Sequence, residues 1–171
     1  MGYSFPHPPT NKGNTMHKIL NATLLALVLS TGAGLAPARA AGTETEEQTS
    51  ADFAAGKAAI EARDWPAAIK YLTAVVDADP TNADAENLLG YSYRKSGNYE
   101  AAKRHYWQAL KLNPDHRGAR EYLGEAFLEQ KNLAKAEEQL AALIRLCPSG
   151  CEERSELQQA IDAYKKANPG G

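Results

Sequence analysis

From residue 50 onward, small and apolar side chains return at helical spacing, and the whole pattern then repeats every 34 residues. Pro80, Pro114 and Pro148 mark the period, and Gly56, Gly90 and Gly124 mark it independently. Two further ladders, Ala68/Ala102/Ala136 and Leu72/Tyr106/Leu140, keep the same register. A repeat of this length predicts a two-helix unit that cannot bury its apolar face alone and must stack on its neighbours. The units run over 49–82, 83–116 and 117–150. Each ladder has a packing role: Gly56, Gly90 and Gly124 let two helices approach closely, at an intrinsic cost of about 1 kcal/mol each in helix propensity. Asp64, Asn98 and Asn132 stand where an N-cap of each second helix belongs, and Pro66 falls in a first turn. The three prolines then end each hairpin. Beyond them Leu157, Ala160, Ile161 and Tyr164 fall at i, i+3, i+4 and i+7, one amphipathic helix over 152–167 that is expected to cap the stack with a polar outer face.

A different pattern precedes the repeats. From Met16 a short positive region, His17 and Lys18, leads into an apolar stretch around Ala22 to Leu29 and then Ala38-Arg39-Ala40. These are the three parts of a secretory signal, with cleavage expected after Ala40. An uncleaved anchor is the alternative, but Asn21, Thr23, Ser30, Thr31, Gly32 and Gly34 keep the apolar run short of the roughly 20 residues a spanning helix needs. Residues 1–15 are polar and proline-rich, an odd leader for a signal, which suggests a start at Met16. Residues 41–49 (AGTETEEQT) offer nothing to bury and read as a flexible tail.

Composition narrows the class. Ala, Leu, Glu, Lys, Gln and Arg dominate after residue 50, so summed propensity favours an all-α domain. The formal net charge is −2; residues 1–40 hold three bases and no acid, leaving 16 bases against 21 acids, or −5. That balance argues against a nucleic-acid partner, which would call for a basic stripe.

The middle unit carries Leu89-Gly90, Tyr93, Gly97, Tyr99, Ala102, Tyr106, Ala109 and Pro114. The last has Leu123-Gly124, Phe127, Leu133, Ala136, Leu140, Leu143 and Pro148; the first has Ala55-Gly56, Ala59, Trp65, Ala68, Leu72, Val75 and Pro80. At these positions residues 49–150 resemble the tetratricopeptide repeat family, in the form found in exported bacterial proteins. Two departures stand out: Glu86 where a large apolar residue is usual, and Ala59 where Tyr93 and Phe127 stand in the other units. The resemblance implies an α-α superhelix of three helical hairpins plus the C-terminal capping helix. It also implies a concave groove lined by the first helix of each hairpin. Carried onto this chain, the groove positions include Phe53 and Lys57; Asn87, Tyr91, Arg94 and Lys95; and Glu121, Glu125 and Leu128. Phe53 and Tyr91 are then apolar anchors, against burial beside a neighbouring hairpin. Lys57, Arg94 and Lys95 would meet a carboxylate. Glu121, Glu125 and Glu129 form an acidic strip whose plainer reading is a solvated helix face paired with Arg117 and Arg120. The family's clamp for a partner's C-terminal carboxylate wants Lys and Asn where this chain has Phe53 and Lys57, so that ligand is not expected.

Cys147 and Cys151 bracket the turn before the last helix, a spacing that permits a disulfide in an oxidising compartment. A redox or metal-handling accessory is the alternative use of that pair. It lacks a Cys-x-x-Cys spacing and a second Cys/His pair. Beyond residue 40 the histidines are His105, read as a surface residue, and His116, read as a loop residue. No phosphate loop, nucleophile elbow or metal-helix motif is present. The sequence therefore points to a periplasmic or secreted, non-enzymatic adaptor without cofactor or metal. Its partner would be another protein or a peptide segment, such as a subunit of an envelope complex, with membrane contact only through an uncleaved leader.

Overall fold

The computed structural model describes residues 41–169, so the expected signal, its cleavage after Ala40 and the start at Met16 lie outside the described residues. The described residues form seven helices in chain order: α1 (Ala41–Glu61), α2 (Trp65–Ala78), α3 (Ala83–Lys95), α4 (Tyr99–Leu112), α5 (Arg117–Glu129), α6 (Leu133–Leu146) and α7 (Glu152–Ala167). No strand occurs among them. The helices pair as antiparallel hairpins α1/α2, α3/α4 and α5/α6, each packed on the next, and α7 lies against α5 and α6. No helix among the described residues is long and apolar enough to cross a membrane.

Caps fix where the helices begin. Asp64, Asn98 and Asn132 accept hydrogen bonds from the backbone N–H three residues on, at 3.1, 3.1 and 3.2 Å. Asn82 does the same for α3 at 2.9 Å, and His116 takes the equivalent place for α5, its Nδ1 accepting from Ala119 at 3.1 Å. His116 is therefore a helix cap, 34 residues after Asn82. The hairpin turns share one device: Arg63, Gly97 and Lys131, again 34 apart, all have positive φ (57°, 84° and 58°). Only the middle unit supplies the residue that adopts this conformation without cost.

The expected flexible tail at 41–49 is instead the first part of α1. Glu46, Glu47 and Gln48 are good helix formers, acids are favoured near a helix N-terminus, and Gln48 donates to Asp52 at 3.1 Å one turn on. Helix can therefore continue without an apolar face to bury.

Two clusters make the core. A small one holds Ala59, Ala68, Leu72 and Leu89. A larger one runs through the second and third hairpins and α7, from Ala102 and Tyr106 to Leu157 and Ile161. The glycine ladder works as the close-approach device, with a twist at its last step. A Cβ on Gly56 would meet Leu72 and one on Gly90 would meet the Tyr106 ring, each from its own hairpin; on Gly124 it would lie 2.6 Å from Leu157 of α7. The capping helix thus fills the notch that the second helix fills in the first two units. Around it, Arg154 donates to the carbonyls of Cys147 and Pro148 at 3.2 and 3.1 Å. Lys165 pairs with Glu137 of α6 at 2.6 Å, and Arg117 of α5 pairs with Glu153 at 3.5 Å.

Candidate functional site

The nine expected groove residues lie on α1, α3 and α5, but they divide sharply by accessibility. Lys57 is exposed, while Phe53, Tyr91 and Lys95 are half-buried. Asn87, Arg94, Glu121, Glu125 and Leu128 are buried, between 4% and 9% exposed. Five of the nine are thus structural, each for a reason the geometry supplies.

Arg94 is the centre of this inner layer. Its guanidinium reaches Glu125 at 2.6 Å and Glu129 at 2.8 Å, so two carboxylates of α5 hold a cation of α3. It also lies 5.5 Å from the Tyr91 ring centroid and 5.7 Å from that of Tyr122. Burial by itself would lower its pKa, but Tyr106 and the two carboxylates outweigh that and hold it up. Burial pushes the Glu125 pKa up, with Arg94 opposing, so desolvation prevails even within the pair. Arg94 is therefore spent on joining the second hairpin to the third and is not offered to a partner's carboxylate.

Two of the three acids of the strip, Glu121 and Glu125, are buried rather than solvated, and the exposed Glu129 is paired with Arg94. Glu121 is buried under α7, where it hydrogen-bonds Glu156; burial, that bond and the nearby charge of Glu125 hold its carboxyl well above the usual range. Arg117 and Arg120 do not neutralise the strip: Arg117 turns to Glu153, and Arg120 donates to the Pro114 carbonyl at 2.7 Å and to Gln139 at 3.4 Å. Leu128 joins the larger core cluster. Asn87 lies against Gly118, with its side-chain carbonyl buried and unpartnered.

The accessible layer is concentrated on the first two hairpins. Tyr91 meets Trp65 edge-on at 6.2 Å and Tyr122 at 4.9 Å between ring centroids, forming an aromatic row across three units. Lys95 sits 5.8 Å from the Tyr91 ring, and burial followed by the charge of Arg94 lowers its pKa. Phe53 packs on the smaller core cluster and, with Glu46, Thr49, Ser50, Ala78, Asp79 and Asn82, lines an open cavity between α1 and the α2–α3 turn. Trp65 is the member of this surface that the sequence reading passed over. It occupies the first position of a second helix, outside the family's usual lining positions, and only its contact with Tyr91 places it here.

Outside this surface, Glu86 and His105 explain each other. The buried carboxylate stands 2.7 Å from His105 Nδ1, and the imidazole stacks on Tyr93 at 5.3 Å. A polar pair from α3 and α4 thus replaces the usual apolar contact. The Sγ atoms of Cys147 and Cys151 are 2.03 Å apart, linking the C-cap of α6 to the N-cap of α7. Among the described residues no three or more His, Cys, Asp or Glu side chains are arranged to hold a metal ion.

A tetratricopeptide repeat family model matches residues 53–102 and 87–150. No curated protein matches in sequence. Solved structures of the same fold do. The TPR2B domain of yeast Sti1, in its complex with an Hsp70 peptide, is 19% identical with a TM-score of 0.66, covering 71% of this chain and 99% of that one. The type III secretion chaperone SycD of Yersinia enterocolitica, bound to a peptide of the translocator YopD, is 20% identical with a TM-score of 0.59, covering 73% and 92%. MamA (41–end) of Desulfovibrio magneticus is 25% identical with a TM-score of 0.57, covering 59% and 57%.

Proposed function

The chain belongs to the tetratricopeptide repeat family, and from that premise we propose that it is a non-catalytic adaptor holding a segment of another protein against its first helices. The observation that carries this reading is the division of the groove into two layers. An inner layer of Arg94, Glu125 and Glu129 is satisfied internally and fixes the geometry of the hairpins. An outer layer of Phe53, Lys57, Tyr91, Lys95 and Trp65 leaves aromatic edges and a cation at the surface, the combination that anchors protein segments. Solved structures of this fold with bound Hsp70 and translocator peptides support the same use. The signal-like pattern ending at Ala40 supports placement in the periplasm or outside the cell, with an envelope subunit as partner. Three hairpins give a modest surface, so a free peptide is expected to bind weakly unless further contacts join in.

The test is site-specific photocrosslinking in living cells, with the reactive side chain at Lys57 and, as control, at Lys111 on α4. A discrete adduct from Lys57 and not from Lys111 is the expected result. Equal labelling from both, or none from Lys57, would overturn the reading.

A further inference from the structure

The cavity between α1 and the α2–α3 turn measures about 520 Å³, within the range of sites that hold a side chain or a small ligand. The 34-residue period shows how the same space is treated elsewhere in the stack. Where the first interface has Ser50, Phe53 and Asn82, the second has Asp84, Asn87 and His116. There the space is filled from within: His116 Nε2 stands 3.1 Å from Asp84 Oδ1, and Asn87 is only 6% exposed. At the third interface the counterparts of Thr49 and Phe53 are Arg117 and Glu121. Arg117 pairs with Glu153 at 3.5 Å, and Glu121 is buried under α7. Both later interfaces thus set a nitrogen base against a carboxylate at this edge of the stack. At the first, Asn82 takes the place of the imidazole, Phe53 stays half-buried, and the space is open.

We propose that this cavity is the subsite for an arginine side chain of the partner segment, an inference that rests on the reading that the first helices hold such a segment. Charge and shape choose the occupant. Phe53 supplies an aromatic wall, and Glu46 and Asp79 line the same space with two carboxylates. Thr81 donates to Asp79 Oδ1 from its hydroxyl at 2.7 Å and from its backbone N–H at 3.0 Å, and these bonds hold the Asp79 carboxyl below the usual range. Both bonds end on Oδ1, so Oδ2 remains for a further donor. Among the described residues that line the cavity none is basic, and Lys57 follows Phe53 by one turn, outside it. The surroundings have the same sign: residues 46–56 and 71–82 contain acids but no lysine or arginine. A guanidinium stacks flat on a phenyl ring while forking to a carboxylate, a combination that a compact ammonium does not match.

The probe is a capped pentapeptide with a central arginine between alanines, compared with the same peptide carrying citrulline, which keeps the shape and loses the charge. Titrated into the chain at millimolar concentration and followed by amide NMR, the arginine peptide is expected to give saturable shifts at Ser50, Asp79 and Asn82. The citrulline peptide should bind roughly fivefold or more weakly. Glu46→Gln combined with Asp79→Asn should weaken the arginine peptide by a similar factor. The thermal midpoint should stay in place, because Glu46 is exposed and an amide at 79 still accepts from Thr81. No shifts, shifts confined to other residues, or binding indifferent to citrulline or to the double substitution would overturn the proposal. A lysine peptide that binds as tightly would show a merely acidic surface and overturn it too. The adaptor reading fails separately. Saturable shifts at the cavity without a Lys57 adduct in cells would sink the partner segment and leave a site for a free guanidinium compound. A Lys57 adduct with no arginine shifts would keep the adaptor and remove this subsite.

Discussion

At the scale of single residues, the chain spends its charge inside. Glu121 is a carboxyl with burial and three neighbouring acids, Glu156, Glu125 and Glu153, against its ionisation, so the folded state holds a proton that the unfolded state releases near the ordinary Glu value of about 4.3. The unfolded chain binds fewer protons above that pH, and stability must fall as pH rises through the window between the two values. Glu121→Gln keeps a donor for Glu156 without the titration. Chemical denaturation from pH 5 to 8 is expected to show a flattened slope and a gain on the order of 1 kcal/mol at pH 8. Arg94 behaves in the opposite sense. Removing it leaves Glu125 buried without a counter-charge, so Arg94→Ala should cost about 3–5 kcal/mol, and Arg94→Met with Glu125→Leu should recover much of that loss. A double-mutant cycle on urea midpoints measures the coupling. Neither role could be read from the sequence. Helical spacing puts Arg94, Glu121 and Glu125 on one side of their helices, yet whether that side is open depends on what the neighbouring helix lays over it. Glu156 of α7 and Tyr122 of α5 decided the matter.

At the scale of helices, the repeat ladders made most of the fold legible. Prolines, glycines and asparagine caps act locally, and local rules survive into the structure unchanged. What escaped was the exchange of partners at Gly124, where Leu157 rather than Leu140 fills the notch. Spacing identifies a notch but not which of two apolar helices reaches it. A methyl at Gly124 would push α7 outward, so Gly124→Ala should speed amide exchange throughout α7 while sparing α1 and α2. At Gly90 the obstruction includes the Ala102 carbonyl oxygen at 3.1 Å as well as the Tyr106 ring. Backbone yields less than a leucine tip, and Gly90→Ala should lower stability more than Gly56→Ala, by roughly 1–3 kcal/mol. The left-handed turns offer the reverse experiment. Arg63→Gly and Lys131→Gly relieve backbone strain, and each is expected to raise the thermal midpoint slightly, by up to about 1 kcal/mol in stability after the entropic cost of glycine.

At the scale of the whole molecule, the stack has unlike ends. Its C-terminal end is closed by α7, bound through Leu157 and Ile161 in the larger core cluster, the Cys147–Cys151 link and the Lys165–Glu137 pair. Its first hairpin relies on the smaller cluster, in which Ala59, Ala68 and Leu72 pack with Leu89 of α3, and leaves Ala51, Ala54 and Ala58 exposed. Such a difference sets an order of yielding under load. Stretched between residues 41 and 169, the molecule carries the same tension at both ends, and α1 and α2 would peel away first at low force, leaving the later hairpins to resist together through the Arg94 ion pairs that tie the second to the third. A chain of this construction surrenders its length in two stages, the uncapped end before the capped one.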